Sequence, residues 1–202
     1  MSAATTLRHG ANVPPNAFTQ RELEWLPWLE PLEEGALTER HFAGLVDASR
    51  AKSPYFMLLA RDPDILGART RTDKDIFYNV EAGLPRAERE LAATATSRFN
   101  GCIYCASVHA RFASHFSPRS ADVQRLLDEG VSARLDPRWD AIVAASVALT
   151  STPIAFGASH IQALRAVGLD DLAISDVIHG AAFFNWANRL MLSLGEPALP
   201  AA

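Results

Sequence analysis

This chain of 202 residues has few cysteines and no excess of positive charge. Cys102 and Cys105 are its only two cysteines, which excludes a secreted scaffold held together by many disulfides. Lysine and arginine total 19 against 23 aspartates and glutamates, for a formal net charge of −4. Without a surplus of basic residues to neutralise phosphates, no nucleic-acid partner is expected.

Long apolar runs are missing as well. The most apolar stretches, 141–150 and 177–186, are too short or too often interrupted by polar residues to span a bilayer, so no membrane partner is expected. The opening residues, MSAATTLRHGANVPPN, hold no apolar segment of the secretory type. We therefore expect a cytoplasmic protein, and in a reducing compartment two cysteines three positions apart are more often catalytic or metal-binding than structural.

Helical periodicity is present from residue 19 almost to the end of the chain, and no alternating pattern typical of strands interrupts it. The sequence therefore predicts an all-α fold. Residues 1–18, which include Gly10, Pro14 and Pro15, are interpreted as an extended N-terminal arm, and residues 19–202 as a single helical domain. The predicted helices are 21–32, 38–50, 54–60, 63–78, 85–99, 102–116, 120–129, 138–149, 158–167 and 170–194.

Cys102, Cys105 and His109 share one face of a predicted helix, because positions i, i+3 and i+7 lie within roughly 60° of one another. His109 is one turn beyond Cys105, where its imidazole can hydrogen-bond the thiol and favour the reactive thiolate. Cys102 begins the helix, where the positive end of the helix dipole also lowers the pKa of a thiol. From the residues alone, either sulfur is a candidate for activation.

Glu90 lies in the preceding helix, in a run of otherwise apolar or small residues. If the two helices form an antiparallel hairpin about Asn100-Gly101, Glu90 can approach His109, orient its imidazole and carry its proton. The alternatives are a glutamate that pairs only with Arg86 or Arg98, a histidine that only packs, and a zinc site. Structural zinc sites usually bring a second CxxC or an HxxxH, which this sequence lacks, so no metal is expected.

The spacing Glu90, eleven residues, Cys102-x-x-Cys105-x-x-x-His109 resembles the signature of the alkylhydroperoxidase D (AhpD) and carboxymuconolactone decarboxylase superfamily. The stretch 174–195 is similar to the closing helix of the peroxidase-related branch, and 84–90 to the start of the helix that carries Glu90. The resemblance covers roughly residues 53–195. Asn185, Asn188 and Arg189 match the closing helix and are interpreted as structural.

This resemblance implies an AhpD-like all-α fold, with a central antiparallel helix hairpin that carries the CxxC motif, in a homo-oligomer. It implies a thiol-dependent alkyl hydroperoxide reductase, an antioxidant peroxidase that needs no cofactor. Cys105 would be the peroxidatic thiolate, Cys102 the resolving cysteine of a redox-active disulfide, His109 the general base and Glu90 the proton relay. The partners would be a hydroperoxide substrate and a dithiol reductant, a lipoyl-bearing or thioredoxin-like protein.

One position departs from the family pattern. Where the best-known members have a relay histidine just before the second cysteine, this sequence has Tyr104, and a phenol with a pKa near about 10 is a poor base at neutral pH. Two other functions stay open: disulfide exchange or redox sensing through the CxxC pair, and a decarboxylase-like reaction that needs a base but no redox pair. Phe99, Ile103 and Phe184 are predicted to line the substrate pocket.

Overall fold

A computed structural model describes residues 6–200 of the chain. It is mostly helical, which confirms the all-α prediction. The elements, in chain order, are β1 (Glu24–Pro27), α1 (Glu39–Leu45), α2 (Pro54–Leu59), α3 (Pro63–Tyr78), α4 (Arg86–Phe99), α5 (Ile103–His115), α6 (Ser120–Glu129), α7 (Pro137–Thr150), α8 (Ala158–Ala166), α9 (Asp171–Leu194) and β2 (Gly195–Ala198), with 3-10 helices at Glu34–Ala36 and Ala48–Lys52.

The predicted helix 21–32 is wrong, because β1 occupies this segment and pairs antiparallel with β2. Trp25 faces Pro197 across the pair, its ring is buried, and its Nε1 donates to the Met191 carbonyl at 3.3 Å. Pro27 lacks the N–H group that a continuing helix would need. The strand's partner lies at the other end of the chain, and no local pattern reveals such a partner.

The predicted helix 38–50 is also too long. It ends at Leu45, and a separate 3-10 helix follows at Ala48–Lys52. Between them Val46 has a φ of 66°, a left-handed conformation that cannot continue a right-handed helix.

The part of the predicted N-terminal arm that is described, residues 6–18, contains no helix or strand and lies against the chain's own sheet. The Leu7 amide donates to the Trp28 carbonyl at 2.8 Å, and Asn12 Nδ2 donates to Glu196 Oε1 at 2.8 Å. Residues 1–5 of the predicted arm lie outside the described residues. The division at residue 18 stays a prediction.

Helix α4 is the centre of the packing and contacts α5, α7 and α9. Its interior positions are small, with Ala92, Ala93 and Ala95 all fully buried, so neighbouring backbones approach closely. Gly180 of α9 lies against this face, and a Cβ added there would make an ordinary contact of 3.7 Å with the Ala92 side chain. Within residues 6–200, no helix combines the length and the hydropathy that a membrane crossing requires.

Candidate active site

The turn between α4 and α5 places the two cysteines. Gly101 has a φ of +78°, a conformation that glycine adopts without strain. The Cys102 amide then donates to the Ser97 carbonyl at 2.9 Å, and the Cys102 carbonyl accepts from Ala106 at 3.0 Å. Cys102 is thus the N-cap residue of α5 rather than its first residue, and Cys105 lies in the first turn.

Glu90 and His109 approach each other across the α4–α5 pair. His109 Nδ1 lies 2.5 Å from Glu90 Oε2, and Arg86 Nε lies 2.6 Å from Glu90 Oε1. The Glu90 side chain is almost completely buried. Both partners that the sequence analysis treated as alternatives, Arg86 and His109, therefore share one carboxylate.

This contact fixes the tautomer of His109. A carboxylate only accepts hydrogen bonds, so Nδ1 carries a proton, and in the neutral form of the imidazole Nε2 has the lone pair. The ring is held between Phe77, stacked at 5.1 Å, and Phe184, edge-on at 4.1 Å. His109 is therefore oriented as a base, with Nε2 as the nitrogen that can accept a proton.

Cys105 and the Glu90–His109 pair line the same cavity, whose volume is about 180 Å³. We call it the Cys105 cavity. Its walls are largely aromatic, and include Phe56, Phe77, Phe112 and Phe184 together with Tyr55, Tyr78 and Tyr104. An apolar cavity of about 150 Å³ holds a molecule of the size of benzene. The site therefore has room for a small organic substrate beside the sulfur.

Cys102 lines a different pocket, of about 210 Å³, which we call the Cys102 pocket. Its walls include Trp25, Pro14 and Pro197, so β1, β2 and the N-terminal arm all contribute to it. Tyr104 and Met191 line both spaces, and the two thiols thus face separate cavities.

The predicted pocket residues divide between these spaces. Phe184 lines the Cys105 cavity and Ile103 the Cys102 pocket. The prediction for Phe99 is wrong: its side chain at the end of α4 is 43% exposed and lines neither space.

The two free thiols differ in acidity. The pKa of Cys102 is lowered, first because the Cys105 thiol hydrogen-bonds its sulfur, and further by the Cys105 backbone N–H and the Asn188 side chain, which together outweigh burial. The pKa of Cys105 is raised well above its usual value, because it donates to Cys102 and because it is buried. In the reduced protein Cys102 is therefore the more acidic of the two thiols, and Cys105 is the one that retains its proton to higher pH.

Asn188 of α9 is a functional candidate that the sequence analysis read as structural. It is fully buried, its Oδ1 accepts from Asn100 at 3.1 Å, and its Nδ2 donates to Ser97 Oγ at 3.0 Å. The amide has a second hydrogen, and the Asn188 side chain beside the two cysteines lowers the pKa of both thiols. The Asn-Gly turn and the closing helix are thereby connected at the cysteine pair.

Tyr104 lies beside Cys105, and burial is the first cause of a raised pKa for its phenol. Its hydroxyl therefore stays protonated at neutral pH and can donate a hydrogen bond but not act as a base. Among residues 6–200, no group of three or more histidine, cysteine, aspartate and glutamate side chains is arranged to hold a metal ion.

Comparison with known proteins gives one matching family model and several solved structures of similar fold. Residues 63–148 match the model of the carboxymuconolactone decarboxylase family. No curated protein sequence matches the chain significantly.

Solved structures resemble most of the chain. An uncharacterized peroxidase-related protein from Ralstonia eutropha JMP134, described as an alkylhydroperoxidase AhpD core, shares 22% identity at a TM-score of 0.67, over 79% of this chain and 85% of that one. An uncharacterized peroxidase-related protein from Silicibacter sp. TM1040 shares 25% identity at a TM-score of 0.62, over 70% and 74%. The debrominase Bmp8 shares 17% at a TM-score of 0.65, over 81% and 88%.

Proposed function

Because the chain belongs to the alkylhydroperoxidase D and carboxymuconolactone decarboxylase superfamily, we propose that it is a thiol-dependent hydroperoxide reductase with an antioxidant role. Proteins of this fold include peroxidase-related proteins and a debrominase, so the fold alone does not determine the reaction. One observation carries the proposal: Cys105, His109 and Glu90 line a single cavity with aromatic walls.

In the first step His109 takes the Cys105 proton on Nε2, while Glu90 stabilises the imidazolium through Nδ1. The Cys105 sulfur attacks the terminal oxygen of the hydroperoxide, an S–O bond forms and the O–O bond breaks. The alkoxide leaves with the proton from His109 as an alcohol, and Cys105 becomes a sulfenic acid. Arg86 keeps the Glu90 carboxylate in place during this transfer.

The acidity of the pair suits the second step. The pKa of Cys102 is lowered, so the resolving thiol forms its thiolate more readily than an ordinary cysteine when Cys105 becomes a sulfenic acid. Its attack forms the Cys102–Cys105 disulfide and releases hydroxide, which is protonated to water.

A dithiol then has to return two electrons to the disulfide. We propose that the dithiol, on a lipoyl-bearing or thioredoxin-like partner, attacks Cys102, because that sulfur faces its own pocket on another side of Tyr104. The homo-oligomer and the cytoplasmic location expected from the sequence stay predictions.

The test is intact mass and thiol counting after one equivalent of cumene hydroperoxide is added to the reduced protein. We expect wild type to lose two thiols and about 2 Da, as a disulfide forms. Cys102→Ser should instead gain about 16 Da on Cys105, the mass of a sulfenic acid. Cys105→Ser should leave the peroxide unconsumed, and peroxide consumption by that variant would refute the proposal.

A second function, disulfide exchange, is favoured by the lowered pKa of Cys102 and by its separate pocket. A protein of that kind would reduce insulin or a mixed disulfide through Cys102 with no need for His109. Insulin reduction that survives His109→Gln, together with absent peroxide turnover in wild type, would establish exchange in place of peroxide reduction.

A further inference from the structure

The wall of the Cys105 cavity that does not belong to the α4–α5 pair is also polar. Tyr55 of α2 and Arg69 of α3 both line the cavity, and they are only 6% and 8% exposed. Among residues 6–200, neither the Tyr55 hydroxyl nor Arg69 Nε and Nη1 has a hydrogen-bond partner. Buried donors without partners reduce stability and are uncommon, so three of them around one reactive sulfur call for a functional explanation.

Packing holds the Arg69 side chain in place without forming hydrogen bonds to its Nε and Nη1 groups. The Arg69 guanidinium lies over the rings of Phe56, at 5.4 Å, and Phe183, at 5.3 Å. Asp73, one turn further along α3, lies 3.5 Å from Arg69 Nη1, which is close enough for an ion pair but outside hydrogen-bond geometry. The N–H groups of Arg69 are therefore fixed and still available.

The charges around the cavity indicate what these donors bind. Its two guanidinium groups are each matched by a carboxylate, Arg69 by Asp73 and Arg86 by Glu90. No surplus positive charge is left to hold an anionic substrate. Donors in a cavity without surplus charge suit an uncharged oxygen that gains negative charge during the reaction, because their interaction strengthens as that charge develops.

We propose that Tyr55 and Arg69 form a hydrogen-bond-donor subsite for the leaving oxygen of an uncharged organic hydroperoxide, opposite the His109–Glu90 pair. The inference rests on the proposed peroxidase function and adds its substrate class. As the Cys105 S–O bond forms and the O–O bond breaks, the electron pair of the O–O bond moves onto the alkoxide oxygen. Tyr55 and Arg69 stabilise that oxygen until it takes the proton held by His109.

Two further observations agree with this assignment. Burial raises the pKa of Tyr55 to about 12, although the neighbouring Arg69 guanidinium acts in the opposite direction, so its hydroxyl remains protonated and able to donate throughout the neutral range. The positive charge of Arg69 is close enough to Cys105 to offset part of the rise in the pKa of that thiol. The donors thus lie near the sulfur at which the O–O bond must break.

The experiment compares Tyr55→Phe with wild type on two peroxides. When its O–O bond breaks, tert-butyl hydroperoxide releases a strongly basic alkoxide that needs stabilisation. Peracetic acid releases acetate, which needs little. We expect the second-order rate of Cys105 oxidation to fall about 100-fold with tert-butyl hydroperoxide, the typical loss for one removed oxyanion donor, and to change less than about threefold with peracetic acid. Arg69→Lys should show the same selectivity with a smaller loss, because it keeps the charge.

The outcomes separate this subsite from the proposed function. If wild type oxidises Cys105 with neither peroxide, both proposals fail. If wild type is active and Tyr55→Phe loses the same factor on both peroxides, or none, the subsite is wrong and the peroxidase function stands. The variant should also melt no lower than wild type, because the hydroxyl it removes has no partner, and a melting temperature several degrees lower would show a structural role and overturn the subsite.

Discussion

Replacing Glu90 by glutamine removes one charge from the centre of the site and keeps the shape of the side chain. The carboxylate accepts from Arg86 Nε at 2.6 Å and from His109 Nδ1 at 2.5 Å, and it is almost completely buried. A glutamine has one accepting oxygen, so one of these two donors must face an NH₂ group. Breaking a buried charged pair lowers the free energy of unfolding by about 3–5 kcal/mol. Because Arg86 keeps its hydrogen bond to the Phe77 carbonyl, we expect Glu90→Gln to lower the free energy of unfolding by about 3 kcal/mol.

The effect on activity follows from the tautomer. An NH₂ group facing Nδ1 requires that nitrogen to accept, so the proton of His109 moves to Nε2, which can then no longer take the proton of Cys105. We expect the rate of peroxide reduction to fall about 10²- to 10⁴-fold, the usual contribution of a general base. In a chain of this length, about 3 kcal/mol lowers the melting temperature by about 6–12 °C.

Glu88 provides the matched control. It lies two positions earlier on α4, is largely buried, and forms two hydrogen bonds of 2.7 Å with Arg138, but it does not line the Cys105 cavity. Glu88→Gln should lower the free energy of unfolding in urea by about 1–3 kcal/mol and leave the rate of peroxide consumption within about twofold of wild type. A Glu90→Gln enzyme with more than half the wild-type rate, or a Glu88→Gln enzyme as impaired as Glu90→Gln, would refute the reasoning.

Three further predictions concern the thiols and the framework. Cys105→Ala should move the pH midpoint of Cys102 alkylation upward, because the pKa of Cys102 is lowered first by the Cys105 side chain. Cys105→Ser keeps a hydrogen-bond donor at this position and should move the midpoint less. Equal midpoints for wild type and Cys105→Ala would contradict this prediction. Gly195→Ala should lower the free energy of unfolding by about 1–3 kcal/mol, because its Cβ would overlap β1, whereas Gly35→Ala meets open space and should not. Asp136→Ala should destabilise the protein by about 1–2 kcal/mol at neutral pH: burial opposes ionisation of this carboxyl, but the backbone N–H groups that begin α7 and a nearby arginine outweigh it and lower its pKa. The stability contributed by a carboxyl with a lowered pKa is lost as the pH falls through that pKa. Urea unfolding should therefore show that the difference in free energy of unfolding between Asp136→Ala and wild type vanishes in acid. A difference that persists in acid would refute an origin in the ionised carboxylate.

The parts of the site that follow the chain locally could be predicted from the sequence. Cys102, Cys105 and His109 lie one helical turn apart, and a three-residue turn at Asn100-Gly101 fixes which residues of the two helices meet. Glu90 was therefore expected near His109, and the two lie 2.5 Å apart. Short-range geometry was enough because both helices have strong periodicity and a glycine at the turn between them.

The remaining parts depend on tertiary packing that no local pattern records. Tyr55 and Arg69 come from helices outside the motif, and only the packing of α2 and α3 brings them to the Cys105 cavity. β1 was misread as a helix because Trp25 pairs with Pro197, near the other end of the described chain. Which thiol is the more acidic depends on the contact between the two cysteines and on the neighbouring Asn188 side chain, and spacing along the sequence does not predict that geometry.

The two thiols contact each other but open onto separate cavities, with Tyr104 and Met191 lining both, and this arrangement bears on competition between substrates. Where an oxidant and a reductant enter one pocket in turn, a high concentration of either blocks the other. In the proposed cycle the peroxide occupies the Cys105 cavity and the dithiol approaches the Cys102 pocket, so neither excludes the other by occupancy. A protein built in this way can work at saturating reductant without losing its sensitivity to traces of peroxide, and Tyr104, in the position of the family's relay histidine, then acts as the partition between the two half-reactions.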